Sequence, residues 1–98
     1  MPGKKTHYNI HIKGSVQNIG FLFSACYKAN TFGIKGFATY RDETSVYIEA
    51  EGDRQKLDDF IKWCCKGPAG SEIKKVDTEE GIFIGFADFI INEEQGFK

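Results

Sequence analysis

The stretch Thr6–Gly33, THYNIHIKGSVQNIGFLFSACYKANTFG, changes its hydrophobic period partway along, and that change decides the fold. Over Thr6–Lys13 the pattern alternates, with Tyr8, Ile10 and Ile12 on one face and His7, Asn9, His11 and Lys13 on the other. That is the mark of a half-buried strand. Gly14–Gly20 (GSVQNIG) begins and ends with glycine and has no period, so it reads as a loop. From Phe21 the period lengthens: Leu22, Ala25, Cys26 and Ala29 fall on one helical stripe that ends near Gly33.

Working outward, Ile34–Arg41 and Ser45–Glu51 are expected strands, joined at Arg41–Thr44 (RDET) by a turn without the usual glycine. In the second of them Val46, Ile48 and Ala50 should face inward, and Tyr47, Glu49 and Glu51 outward. Gly52-Asp53 opens a second helix with Asp53 as its N-cap and Leu57, Phe60, Ile61 and Cys64 as its stripe. Gly67-Pro68 stops it. Ser71–Glu79 is a weaker strand, Phe86–Ile91 a better one, and Gln95–Lys98 a loose tail. Two helices must then cover the same face of one sheet. The expected fold class is α+β: a ferredoxin-like βαββαβ sandwich with two helices packed on one face of a mainly antiparallel sheet.

Composition agrees with one compact unit. The 98 residues are 41% hydrophobic and 14% aromatic, which fits a single domain over 1–98 with its core over about residues 6–91. Thirteen basic residues against fourteen acidic ones leave a net charge of −1, which argues against a general nucleic-acid binder. No run is long and apolar enough for a membrane span, and no secretory signal is visible, so the expected location is cytoplasmic. Cys26, Cys64 and Cys65 are a poor disulfide framework and a poor zinc site, and read as reduced thiols. His7 and His11 share a strand face about 13 Å apart, too far to chelate one metal, and read as solvent-facing. No metal site is expected.

The glycine-bounded loop runs from a strand directly into a helix. Its plainer reading is an ordinary βα connection. The alternative is an anion cradle, in which the backbone N–H groups of Ser15, Val16, Gln17, Asn18, Ile19 and Gly20 converge with the help of the helix dipole.

The residues of this loop also resemble a known family. GSVQNIGF is similar to the acylphosphatase signature Gly-Arg/Lys-Val-Gln-Gly-Val-x-Phe-Arg, matched at Gly14, Val16, Gln17 and Phe21, with Ile19 for valine. Gly36-Phe37 stands at the family's Gly-Trp, Val46–Gly52 (VYIEAEG) matches its next strand, and Phe60, Trp63, Gly67 and Pro68 match the end of its second helix. Phe89 and Ile91 match its last strand. The resemblance implies hydrolysis of an acyl phosphate to carboxylate and phosphate, with no cofactor or metal. In the family the loop amides and an arginine grip the phosphoryl group, and an asparagine orients the attacking water.

This chain departs from that pattern at both catalytic positions. Leu22 stands where the arginine belongs and Tyr40 where the asparagine belongs, while Ser15 and Asn18 replace the commoner arginine or lysine and glycine. Leu22 reads as an extension of the helical stripe, and Arg41 should point to the sheet face opposite Tyr40. Lys13 can lend charge near the loop, though as a flexible point charge. A charged clamp on a phosphoryl group is worth about 10³–10⁵ in rate, so an inactive or very weak hydrolase is expected. The rival expectation is a non-catalytic module that binds a protein partner, or itself, through an open sheet face bearing Phe37 and Tyr47. Lys35-Gly36-Phe37-Ala38 begins like an RNA-recognition motif, but Thr39–Asp42 does not continue it. No nucleic acid and no membrane are expected as partners; phosphate or an acyl phosphate is.

Overall fold

A computed structural model describes residues 5–16 and 20–92 of the chain. Gln17, Asn18 and Ile19 of the expected cradle, and the expected tail Gln95–Lys98, lie outside the described residues. In chain order the elements are β1 (Lys5–Ser15), α1 (Phe21–Thr31), β2 (Lys35–Asp42), β3 (Ser45–Asp53), α2 (Arg54–Lys66), β4 (Glu72–Gly81) and β5 (Phe89–Ile91). The strands form one sheet in the order β4-β1-β3-β2-β5, antiparallel except for the β2–β5 pair. The expected ferredoxin-like arrangement, two helices on a mainly antiparallel sheet, is the observed one.

The core lies between that sheet and the helices. Phe21, Leu22, Ala25 and Ala29 of α1 and Leu57, Phe60 and Cys64 of α2 bury against Ile10, Ile12, Val46, Ile48 and Ala50 of the sheet. Burial raises the Cys64 thiol pKa, with the neighbouring Cys65 adding to the effect, so this cysteine acts as a small hydrophobe. No helix among the described residues is long and apolar enough to cross a membrane.

Two glycines permit close strand approach. A Cβ on Gly36 (φ 144) would lie 1.8 Å from the Glu49 carbonyl oxygen, and one on Gly14 (φ 153) would lie 2.1 Å from that of Glu72. Both positions therefore exclude side chains on steric grounds, whatever else they do.

Three local expectations need correction, while the expected turn without glycine forms between β2 and β3. Asp53 occupies the N-cap position of α2 but makes no side-chain cap; its carboxylate pairs instead with Lys5, 3.3 Å away. The turn without glycine is built by Asp42, whose Oδ1 accepts from the Thr44 N–H (2.9 Å), the Thr44 hydroxyl (3.2 Å) and the Ser45 hydroxyl (2.8 Å). These bonds hold the Asp42 carboxyl below its ordinary pKa. The last strand is shorter than expected: the Phe86 ring lies on the open sheet face against His7 and Phe37, and pairing with β2 begins only where the Asp88 carbonyl accepts from the Gly36 N–H at 2.8 Å. Finally, His7 and Glu51 are not solvent-facing: both are buried on that same open face.

Candidate functional site

The region of the glycine-bounded loop is assembled by the end of β1, the start of α1 and the end of β2. Ser15 is exposed at the end of β1, and the Val16 side chain is fully buried. Gly20 adopts a left-handed backbone (φ 67, ψ 33) that turns the chain into α1. Such a helix start presents unsatisfied N–H groups and a positive dipole end toward the loop. Lys13, Gly14, Ser15, Thr44 and Lys74 line a depression of about 270 Å³ beside it. Lys13 was legible in the sequence; Lys74, brought in from the edge strand β4, was not.

The two positions that depart from the resemblance go separate ways. Leu22 is only 3% exposed and belongs to the apolar core, as its place on the helical stripe implied. It carries no charge and no donor. Tyr40 is half-buried, and its hydroxyl donates to the Val16 carbonyl at 3.3 Å, tying the end of β2 to the beginning of the loop. The phenol thus engages the loop backbone directly.

Arg41 lies on the other side of β2. The β2–β3 register shifts between Tyr40 and Asp42, a bulge that leaves Arg41 without a partner residue on β3. Its guanidinium stacks over the Tyr47 ring, 4.5 Å from the centroid, on the open face, as strand alternation implied. Phe37 lies beside the same ring at 6.0 Å and His11 at 4.9 Å. The Tyr47 hydroxyl donates to Glu49 at 2.6 Å, and burial together with that carboxylate raises its pKa.

The rest of the open face holds an ionisable pair that sequence alternation assigned to solvent. His7 Nδ1 donates to Glu51 Oε2 at 2.7 Å. The Ile84 N–H also donates to that oxygen, while Gly85 (2.8 Å) and Phe86 (3.0 Å) donate their N–H groups to Oε1. Each carboxylate oxygen therefore accepts two bonds, which fills the group's capacity. Burial pushes the Glu51 pKa up, but the bonds from Ile84, His7, Phe86 and Gly85 outweigh it and hold the carboxyl below its ordinary value. His7 Nε2 lies 2.8 Å from Asn9 Oδ1, and the ring stacks under Phe86 at 6.1 Å. The only sequence signal for this pair was a strand histidine and a strand glutamate on nominally exposed positions. Among the described residues no cluster of His, Cys, Asp and Glu is arranged to hold a metal ion.

Comparisons with known proteins bear on the same region. A family model described as Acylphosphatase matches residues 8–91. An acylphosphatase of Thermotoga maritima is 37% identical over 82 residues, covering 84% of this chain and 91% of that relative. Among solved structures, an acylphosphatase from Bacillus subtilis superimposes with a TM-score of 0.85 at 27% identity, covering 89% of this chain and 98% of that one. One from Coxiella burnetii gives a TM-score of 0.87 at 24% identity, covering 90% and 93%, and so supports the fold.

Proposed function

Since the chain belongs to the acylphosphatase family, we propose that it is an acyl phosphate hydrolase-like protein in which exchange of the catalytic pair has reduced hydrolysis to little or nothing. In this reading the Ser15–Gly20 backbone remains an anion cradle for phosphate or an acyl phosphate. The observation that carries the reading is Leu22: at 3% exposure its side chain is part of the core, where the resemblance calls for a guanidinium.

The physical argument is about charge. Hydrolysis delivers water to phosphorus and expels a carboxylate, with negative charge spread over the phosphoryl oxygens, so the protein contributes positioning and charge neutralisation. A leucine supplies neither. The Tyr40 hydroxyl is spent on the Val16 carbonyl in the geometry observed, and a phenol reaches a different point from an asparagine amide. Lys13 and Lys74 beside Ser15 favour an anion without offering the fixed bidentate fork of an arginine. Family membership also fits a cytoplasmic protein that needs no cofactor.

The test is hydrolysis of benzoyl phosphate by the wild type and by the Leu22→Arg/Tyr40→Asn double variant, with circular dichroism to establish that the variant is folded. A slow wild type and a variant faster by about 10³-fold or more is the expected result. A wild type as fast as a folded variant overturns the reading. Titration of the wild type with inorganic phosphate tests the cradle separately: shifts of the Ser15, Val16 and Gly20 amides are expected, and a silent loop removes it.

A further inference from the structure

A second site lies where the outer edge of β2 has no further strand partner among the described residues. β5 pairs only with Gly36, Phe37 and Ala38, and the Asn92 N–H closes the ladder on the Ala38 carbonyl at 2.9 Å. Beyond that point Phe37, Thr39, Tyr40, Arg41, Tyr47 and Asn92 enclose a cavity of about 520 Å³. Small-molecule sites usually fall between about 300 and 1,000 Å³.

Arg41 is the one charged residue among those that line it, and its guanidinium forms no ion pair among the described residues. Two described carboxylates of the same β2–β3 hairpin have other work. Asp42 accepts from Thr44 and Ser45 in the turn, and Glu49 accepts from the Tyr47 hydroxyl. The guanidinium carbon instead lies 4.5 Å from the centroid of the Tyr47 ring, a cation–π contact that sets the charge in the cavity wall. Phe37 and Tyr47, with ring centroids 6.0 Å apart, and the half-buried Tyr40 make the walls aromatic.

We propose that this cavity binds a small aromatic carboxylate, its carboxylate paired in bidentate fashion with Arg41 and its ring packed against the aromatic walls. Guanidinium–carboxylate forks are planar, and a ligand coplanar with its own carboxylate can satisfy the fork while stacking. Thr39 and Asn92 add polar groups to the lining. A polyanion such as a nucleic acid strand is disfavoured, because Glu49 and Glu79 act on Tyr47 from the same face and would repel its further charges. The site does not depend on hydrolysis at the loop. It lies across β2 from it, with Tyr40 between the two.

The test is amide NMR of the full chain titrated to millimolar concentration with benzoate, benzamide, acetate and inorganic phosphate. Benzoate should produce saturable shifts at Phe37, Thr39, Arg41, Tyr47 and Asn92, with benzamide and acetate at least about tenfold weaker. Arg41→Gln, at an exposed position, should fold normally and lose benzoate affinity at least tenfold, with Arg41→Lys intermediate. The proposal is overturned if benzamide binds as tightly as benzoate, if Arg41→Gln leaves benzoate binding unchanged, or if benzoate moves only residues 13–22. Phosphate shifts confined to the loop while benzoate is silent would overturn this site and spare the cradle; benzoate shifts with a silent phosphate titration would do the reverse.

Discussion

The two faces of the sheet are held by different physics. On the helix side, Ile10, Ile12, Val46 and Ile48 pack against Leu57, Phe60 and Phe21, and stability is shared among many apolar contacts. On the open side no helix covers the strands. A single carboxylate, Glu51, gathers three backbone N–H groups from residues 84–86 and the His7 ring, and so pins a connecting segment across the sheet. The segment's outward side chains are exposed, with Ile82 at 88% and Ile84 at 62%, so burial of those residues does not hold it. In a shared apolar core each small trim costs a modest amount, whereas a fully bonded buried charge is sensitive to the loss of one atom set.

The largest effect should come from Glu51→Ala. It leaves three backbone N–H groups and His7 without their acceptor, and urea unfolding should show a loss of about 3–5 kcal/mol. Hydrogen exchange should rise first at Ile84, Gly85 and Phe86. A loss under about 1 kcal/mol would mean that the open face does not depend on this carboxylate.

Next comes pH. The Glu51 pKa is lower in the folded chain than its ordinary 4.5, so its contribution is complete above that value and declines as pH falls through the folded one. The stability difference between wild type and Glu51→Gln should therefore be constant near neutrality and shrink in acid. A difference that grows on acidification contradicts the assignment.

On the helix side, Ile48→Val removes one methylene from a fully buried residue and should cost about 0.5–1.5 kcal/mol, with exchange at residues 84–86 unchanged. Coupled loosening of that segment would show that the two faces are not separately held. The smallest effect belongs to Phe23, which α1 turns outward at 70% exposure: Phe23→Ser should change stability by no more than about 0.5 kcal/mol.

Much of the molecule is legible in its sequence. The strand period at Tyr8, Ile10 and Ile12, the helical stripes through Leu22 and Phe60, and the stop at Gly67-Pro68 are local patterns, and each element formed where its pattern lies. The burial of Leu22 and the outward turn of Arg41 followed from the same periods. Where reading failed, the deciding contact came from far along the chain. Alternation marks which side of the sheet a residue takes but not what will cover that side, so His7 and Glu51 read as exposed.

By itself, then, the sequence determined the order of elements, the helix-side core, the family resemblance and the two exchanged positions, because those depend on spacing over a few residues. Only the tertiary structure decided that His7 meets Glu51 across 44 positions, that residues 84–86 close over both, and that Arg41, at a bulge in β2, meets the Tyr47 ring. Those outcomes depend on loop paths and edge pairing, which bring together groups that no local period connects.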